Sequence, residues 1–279
     1  MLSPIEQAAH ELRRATALLV TAGAGMGVDS GLPDFRGDEG FWKAYPPFRK
    51  LGLRFVELAN PRWFERDPEL AWGFYGHRLA LYRRTKPHGG FDILKQWARS
   101  MRDGAFVFTS NVDGQFQRAG FDPDRIFECH GSLDRMQCTR RCGVEPFSSA
   151  DYEPRVDDDT CRAIGPLPRC PQCGALARPN VLLFGDWGWE SAPYDEQEAR
   201  LNEWLEELTE RKARLVVVEL GAGSHVPTVR IFGENVAKAL GGRLVRINPR
   251  EPQGPQGTIS IAGGALESCL AIDAILQAS

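Results

Sequence analysis

The sequence predicts an α/β fold in which a doubly wound parallel sheet carries a small insert of different composition. Short apolar runs, typical of buried strands, alternate with segments of helical periodicity along most of the 279 residues. Between residues 133 and 179 this alternation fades, prolines and aspartates accumulate, and four cysteines occur. With 42% apolar residues, the chain can bury one large core beside a small appendage.

Before the insert, helical spacing and continuous apolar runs identify the elements in turn. Ile5, Ala8, Ala9 and Leu12 share one helical face, and the run Ala17–Val20 follows as a buried strand. Aromatic stripes are mostly core, so the aromatic-rich residues 62–84 are predicted to be a pair of packed helices, with a substrate pocket as the alternative. The next predicted elements are a helix over residues 91–98, a strand over 105–109 and a strand that starts at residue 126.

After the insert the same alternation resumes. Val181 to Asp186 has the apolar character of a buried strand, and a charged amphipathic helix is predicted over residues 195–212. The remaining predicted elements are strands over residues 215–220, 243–247 and 258–261, and helices over residues 229–240 and 265–277.

The stretch Thr21–Trp42 indicates a nucleotide site. Gly23, Gly25 and Gly27 alternate directly after the first buried strand, and Asp34-Phe35-Arg36-Gly37 follows. Glycine lacks the Cβ atom that would keep a pyrophosphate away from the backbone. We therefore expect this loop to hold a dinucleotide.

Polar or glycine residues also follow other strands of the predicted sheet. They cluster at 21–25, 109–113, 220–224 and 247–250, and ligands of open α/β sheets bind beyond the carboxyl ends of the strands. His130 stands at a further strand end beside a glycine. From its position alone, a structural role and a catalytic role for His130 are equally expected.

The four cysteines of the insert have the spacing of a zinc site. Cys138 and Cys142 form one pair, Cys170 and Cys173 the other, and both lie in turn-like contexts. Two such knuckles can supply four thiolates to one tetrahedral Zn²⁺, which would be structural because no coordination position stays open. Two unrelated reduced pairs are the alternative, but they leave unexplained how so polar an insert folds without a metal.

Charge and hydropathy exclude several classes of partner. The net charge of −3 gives no basic excess for a nucleic-acid surface, so no nucleic-acid partner is expected. The sequence shows no secretory signal and no apolar stretch long enough for a membrane span. A cytoplasmic protein is therefore predicted.

With the motifs laid out in this order, the chain resembles the sirtuins, the silent-information-regulator family of NAD-dependent protein deacylases. The resemblance extends over nearly the full length. It rests on Gly23-Ala24-Gly25, Ser30 to Gly37, Asn111-Val112-Asp113, His130-Gly131-Ser132, the two cysteine pairs, Arg178 to Val181 with Phe184-Gly185, and Ile247-Asn248.

The resemblance implies a Rossmann-like NAD-binding domain over residues 1–132 and 178–279, with a helical substrate-pocket insert at about 40–90. A small zinc-ribbon-like domain would cover residues 133–177, and NAD and an acylated protein lysine would meet in the cleft between the two. The cofactor-binding residues it implies are Gly23, Ala24, Gly25, Asp34, Phe35, Arg36, Trp42, Ser110, Asn111, Val112, Asp113, Gly221, Ala222, Gly223, Asn248, Pro249, Arg250 and Ala265.

His130 and Asn111 are the catalytic residues that the resemblance implies. The acyl oxygen of the lysine amide would attack the anomeric carbon as nicotinamide leaves, and His130 would then act as general base on a ribose hydroxyl. The products would be the free amine and O-acyl-ADP-ribose. Zinc would take no direct part.

Four residues are implied to contact the acylated substrate: Tyr75, Arg78, Phe184 and Gly185. Tyr75 and Arg78 are three residues apart on one helical face and match the Tyr-x-x-Arg pair of sirtuins that prefer succinyl, malonyl or glutaryl groups. A guanidinium beside a phenol is a good receptor for a carboxylate, so faster removal of succinyl than of acetyl groups is expected.

The chain departs from the family pattern mainly around the cofactor. Gly27 and Ser110 stand where serine and glutamine are usual, and Ala222 and Gly223 replace a threonine and a serine. Backbone N–H groups can still bind phosphate, so NAD binding is expected to persist. Two other functions stay open at this point, namely ADP-ribosyl transfer or NAD hydrolysis, and an NAD-binding or ADP-ribose-binding module without turnover.

Overall fold

The computed structural model describes residues 2–34 and 37–278. Its strands and helices, in chain order, are α1 Pro4–Arg14, β1 Ala17–Ala22, α2 Gly37–Ala44, α3 Pro46–Lys50, α4 Phe55–Leu58, α5 Trp63–Arg66, α6 Pro68–Arg84, α7 Gly89–Ser100, β2 Ala105–Thr109, α8 Gln115–Arg118, β3 Ile126–Glu128, β4 Gly131–Cys138, β5 Phe147–Ser148, β6 Val156–Asp157, β7 Arg162–Ala163, β8 Ala177–Val181, α9 Ala192–Glu210, β9 Leu215–Leu220, α10 Thr228–Ala239, β10 Arg243–Ile247, β11 Ile259–Ile261 and α11 Ala265–Gln277. Short 3-10 helices cover Ala24–Ser30 and Pro123–Arg125.

Six parallel strands form the main sheet, in the order β3-β2-β1-β9-β10-β11. Strand β1 lies at the centre, with Leu19 opposite Phe106 of β2 on one side and Val217 of β9 on the other. Strands β2 and β3 follow on one side of β1, and after the insert β9, β10 and β11 follow on the other side. The point between β1 and β9, where the order reverses, is where α/β sheets of this type bind ligands.

Helices cover both faces of the main sheet. On one face α1, α7 and α11 bury side chains such as Leu12, Leu94 and Ile272 against the strands. On the other face α9 and α10 do the same with Trp204 and Val229. Because both faces are buried, the strands consist of nearly continuous apolar runs. The predicted doubly wound α/β fold is confirmed.

The second part of the molecule combines the helices α2–α6 with the small antiparallel sheet. Strand β4 pairs with β5 and β8, and β6 pairs with β7. Aromatic side chains of the helices, such as Phe41 and Trp72, share one core with Leu133 and Val181 of the small sheet. The aromatic-rich residues 62–84 form two helices, α5 and α6, as predicted.

The predicted strand from Val181 to Asp186 is wrong. The strand β8 ends at Val181 and belongs to the small sheet rather than the main one. The side chains of Leu182 and Phe184 are 39% and 38% exposed, and Gly185 has φ +69°. Leu183, between the two, is 6% exposed and packs in the core that the helices share with the small sheet. The apolar run therefore lies at the edge of that core with alternate side chains exposed, and it does not form a strand beyond Val181.

The domain limits of residues 133 and 177 stay a prediction. The small sheet itself starts at Gly131 and ends at Val181, slightly outside those limits. In the described part of the chain, no helix combines the length and the apolar character that crossing a membrane requires.

Candidate active site

Two glycine loops meet at the point where the strand order of the main sheet reverses. The first follows β1 and contains Gly23 and Gly25, and the second follows β9 and begins with Gly221. The N–H of Gly25 donates to the carbonyl of Gly221 at 3.0 Å, and the N–H of Gly23 donates to the carbonyl of Leu220, also at 3.0 Å. The two loops therefore form one backbone surface at the carboxyl edge of the sheet.

The contact between the loops requires glycine. A Cβ atom on Gly221 would lie 2.3 Å from the carbonyl carbon of Gly25, and Gly221 has φ +61°. A Cβ atom on Gly23 would lie 2.8 Å from the Cα of Ala222, although Gly23 itself has an ordinary φ of −110°. The close approach of the two backbones thus explains why residue 23 is a glycine. At Gly221 the left-handed backbone conformation is a second reason for glycine.

We expect Gly221→Ala to lower the free energy of unfolding more than Gly241→Ala does. Gly241 has nearly the same φ, +62°, but a Cβ atom there would meet nothing within 4 Å. Gly241→Ala should therefore cost only the conformational strain, about 1–2 kcal/mol, and Gly221→Ala that strain plus a backbone clash. Urea unfolding of both variants measures the difference, and equal losses would contradict the close contact.

Asn111 joins the loop after β2 to the first glycine loop. Its Nδ2 donates to the carbonyl of Gly23 at 3.0 Å, and its backbone N–H donates to Oγ1 of Thr109, likewise at 3.0 Å. The carbonyl of the next residue, Val112, accepts the N–H of Leu133 at the start of the small sheet. Asn111 therefore stands between the main sheet and the second part of the molecule.

Asp113 is a buried carboxylate at the same loop. Its Oδ1 accepts the backbone N–H of Gln115 at 2.9 Å. Burial raises its pKa above the ordinary value, although this N–H and the positive charges of Arg118 and Arg78 lower it in part. A carboxylate with a single hydrogen bond in the described structure has further capacity to accept.

His130 lies in the turn between β3 and β4. The turn is attached to its neighbours by two backbone bonds, from the N–H of Cys129 to the carbonyl of Thr109 and from the N–H of Leu182 to the carbonyl of His130. Burial lowers the pKa of the imidazole below its ordinary 6.5. The side chain is therefore a free base at neutral pH.

Asn248 organises the loop after β10. The side chain is fully buried, and its Nδ2 donates to the carbonyl of Ala222 at 2.8 Å. Its Oδ1 accepts the N–H groups of Arg250 and Glu251, each at 3.0 Å. The exposed Pro249 and Arg250 are thus held next to the second glycine loop, whose Ser224 hydroxyl donates to Glu251 at 2.6 Å.

Support for the first glycine loop comes from contacts that the sequence does not reveal. Oδ2 of Asp29 accepts the N–H of Leu266, the residue after Ala265 at the start of α11. The backbone N–H of His88 donates to Oγ of Ser30, and the His88 ring contacts the carbonyl of Met26 at 2.9 Å. These partners are 58 to 237 residues apart in the chain, so no local pattern predicts them.

Tyr75 and Arg78 are neighbours on α6, as their spacing predicts, and both are buried. Tyr82 contacts the Arg78 guanidinium, and its hydroxyl accepts from Nη2 at 2.7 Å and from Nε at 3.0 Å. The hydroxyl of Tyr75 is buried and has no hydrogen-bond partner among the described residues. Tyr82 is not among the site residues that the resemblance implies. Its position four residues after Arg78 does predict that the two side chains share one face of the helix.

The segment after β8 carries Phe184 and Gly185. The Phe184 N–H donates to the carbonyl of Ala59, and the Asn60 side chain donates to the Phe184 carbonyl. The next residue, Asp186, forms a buried ion pair with Arg178 at 2.8 Å. An exposed apolar segment is thereby fixed beside α4.

The remaining implied residues are found in different settings. The indole of Trp42 donates to the carbonyl of Leu53 at 2.7 Å and so anchors α2 within the helical part. A Cβ atom on Gly27 would lie 3.1 Å from Leu32, which leaves little room for a serine. Ala24 is exposed, Asp34 is half-buried, and Phe35 and Arg36 lie outside the described residues.

The four insert cysteines converge on one point. Their Sγ atoms all lie within 4.8 Å of one another, with Cys138 to Cys173 and Cys142 to Cys170 both at 3.6 Å. Zn–S bonds of about 2.3 Å place tetrahedral sulfurs about 3.8 Å apart, so the cluster fits one Zn²⁺. Cys129, Cys161 and Cys269 lie outside this cluster.

The sequence is similar to those of known proteins. The sequence profile described as "Sir2 family" matches residues 23–228. The chain is 33% identical over 272 residues to an "NAD-dependent protein deacylase" of Thermus thermophilus, covering 94% of this chain and 91% of the relative. It is 31% identical over 234 residues to the protein of the same name from Aquifex aeolicus, covering 84% of each.

A solved structure is similar over nearly the whole length. The ADP-ribose complex of a mutant Sir2 homologue superposes with a TM-score of 0.73 at 28% sequence identity, covering 98% of this chain and 97% of that one.

Proposed function

Because the chain belongs to the Sir2 family, we propose that it is an NAD-dependent protein-lysine deacylase that releases nicotinamide and O-acyl-ADP-ribose. The observation that carries the proposal is the junction of three features at one edge of the sheet. These are the paired glycine loops, the Asn111 side chain bonded to Gly23, and the turn that holds His130. Relatives similar over most of their length are named deacylases.

The residues present fit NAD. The loops of Gly23, Gly25 and Gly221 meet at the carboxyl edge of the main sheet, where the strand order reverses and where sheets of this type bind dinucleotides. Asn111 and Asp113 would bind the ribose and the carboxamide of the nicotinamide half, and the loop at Asn248 the adenosine half. Bound NAD supplies an anomeric carbon that accepts a nucleophile as nicotinamide leaves.

His130 would accept the proton of a ribose hydroxyl. Its imidazole is the free base at neutral pH because burial lowers its pKa. The acyl oxygen of the lysine amide is a weak nucleophile, so much of the rate must come from holding it in line with the anomeric carbon. Asn111 and the segment of Phe184 and Gly185 would provide that positioning.

Zn²⁺ would be bound by Cys138, Cys142, Cys170 and Cys173. It would stabilise the fold and take no part in the chemistry. All four thiolates would be used as ligands, which would leave no open coordination position for substrate.

The proposal is tested by incubating the protein with NAD and an acetyl- or succinyl-lysine peptide and measuring products by mass spectrometry. Deacylation forms one O-acyl-ADP-ribose for each nicotinamide released. Nicotinamide with free or protein-bound ADP-ribose instead would indicate hydrolysis or transfer, the second candidate function of the same site. Binding of NAD without release of nicotinamide would indicate a module that does not turn over.

The pH dependence of deacylation follows from His130. A lowered pKa means that the imidazole stays unprotonated to more acidic pH than an ordinary histidine. We therefore expect kcat/KM for the peptide to be maintained as pH falls toward 6.5 and to decline only below it. A profile from about pH 5 to 8 measures this, and an acidic midpoint above 6.5 would contradict the assignment.

We further propose that the acyl pocket prefers a short acyl chain that ends in a carboxylate. The proposal is supported by the buried Arg78 guanidinium, which Tyr82 orients, and by the Tyr75 hydroxyl, which has no described partner. A carboxylate could accept from both Arg78 and Tyr75. Succinyl, malonyl and glutaryl groups have this chemistry, and acetyl does not.

We expect Arg78→Ala to abolish this preference. Hydrogen bonds to charged groups contribute about 1.5–3 kcal/mol, so kcat/KM for a succinyl peptide should fall about 10- to 100-fold, with a smaller change for the acetyl peptide. Arg84→Ala, on the exposed side of the same helix, is the matched control. An unchanged ratio of the two peptides in Arg78→Ala would rule out the pocket.

A further inference from the structure

A cavity of about 580 Å³ lies where α9 and α10 cover the main sheet. Its floor is formed by the ends of β2 and β3, and its walls by the two helices and the segment before α9. Among the described residues that are named above as binding NAD, acyl-lysine or zinc, none lines it. Its size is within the range of small-molecule sites, about 300–1,000 Å³.

Aromatic rings form much of the lining. Phe108 of β2 stacks on Phe232 of α10 with ring centroids 3.8 Å apart, and Phe127 of β3 meets Phe108 edge to face at 5.4 Å. Trp189 stacks on Tyr194, with ring centroids also 5.4 Å apart. These rings are held by each other, so the cavity does not depend on a ligand for its shape.

The charged residues that line the cavity are both acidic. Asp195 and Glu198 are three residues apart on α9, which puts them on one face of the helix, and both are exposed at the rim. The described lining contains no lysine or arginine that could neutralise them. A negative rim over aromatic walls favours a cation, because aromatic faces also attract positive charge.

One lining group also lacks a partner. The indole Nε1 of Trp189 is buried and donates to no acceptor in the described part of the chain. An unpartnered N–H donor is satisfied by an acceptor atom or by water and not by a cation, so Trp189 can report that the cavity is occupied but does not select the charge of the ligand.

We propose that this cavity binds a small organic cation, an ammonium ion carried on an aromatic or alkyl body. The body packs between the Phe108–Phe232 and Trp189–Tyr194 pairs, and the positive charge lies toward Asp195 and Glu198. The site is separate from the residues of the proposed deacylation, so binding of the cation can be tested whether or not the protein is a deacylase.

Two probes of equal shape separate charge from apolar packing. Phenyltrimethylammonium carries one positive charge, and tert-butylbenzene has a carbon atom in place of its nitrogen. Binding to the full-length protein is followed by NMR through the indole N–H signal of Trp189, which is assigned by its loss in Trp189→Phe. We expect the cation to bind about tenfold more tightly than its neutral isostere.

The variant Asp195→Asn with Glu198→Gln removes both charges and keeps the side-chain shapes. It should weaken binding of the cation to about the level of the isostere. The control is Glu196→Gln with Glu203→Gln, which removes two exposed charges from the same helix outside the cavity and should leave binding unchanged. Two results would overturn the proposal: equal binding of the two probes, or an equal loss in both double variants. No shift of the Trp189 signal at millimolar probe would overturn it as well.

Discussion

His130→Ala is expected to lower the formation of O-acyl-ADP-ribose by about 10²- to 10⁴-fold, the usual contribution of a positioned general base. The substitution removes the group that would accept the proton of the ribose hydroxyl, and burial lowers the imidazole pKa so that the base form is present at neutral pH. The loss should appear in kcat rather than in the KM for NAD, because the proton transfer follows binding.

The reaction before the proton transfer provides the internal control. Release of nicotinamide precedes the need for a base, so exchange of labelled nicotinamide into NAD should persist in His130→Ala in the presence of the acyl peptide. His10→Ala, an exposed histidine of α1, should behave like the unmodified protein in both assays. If exchange and product formation fell equally while thermal stability was retained, His130 would act at the first step and the base assignment would be wrong.

Much of the fold could be predicted because buried parallel strands are continuous apolar runs. The strands 105–109, 215–220 and 243–247 and the helix 265–277 agree with the structure residue for residue. The same signal fails at residues 181–186, where no strand continues beyond Val181 and where Leu182 and Phe184 are exposed. An exposed leucine is common in proteins, so hydropathy alone cannot separate such a segment from a buried strand.

The motifs of the candidate site could be predicted from the sequence, but the contacts between the motifs could not. Asn111 and Gly23 are 88 residues apart, and the geometry that joins them is set by the register of β1 and β2. The contact between Gly25 and Gly221 likewise depends on the position of β9 beside β1. Spacing within the chain carries no such information, whereas the i,i+4 contact of Arg78 and Tyr82 was available from helical periodicity.

Cys170→Ser is expected to remove most of the zinc and to destabilise the small sheet strongly. Its Sγ lies 3.6 Å from that of Cys142, within the four-cysteine cluster. Structural Zn²⁺ contributes about 10–16 kcal/mol in small zinc-binding peptides, so losing even a part of it should lower Tm by about 10 °C or more. Metal analysis and thermal unfolding measure the two effects.

Cys161→Ser is the matched control, since Cys161 is buried in the same insert but lies outside the cluster. It should keep its zinc and lose only about 1–3 kcal/mol for burying a hydroxyl. Because β4 continues directly from the His130 turn, disordering the small sheet should also reduce deacylation, although zinc takes no part in the proposed chemistry. Loss of activity on chelation and its return with added Zn²⁺ would then reflect positioning of His130. Full zinc content in Cys170→Ser would contradict the four-thiolate site.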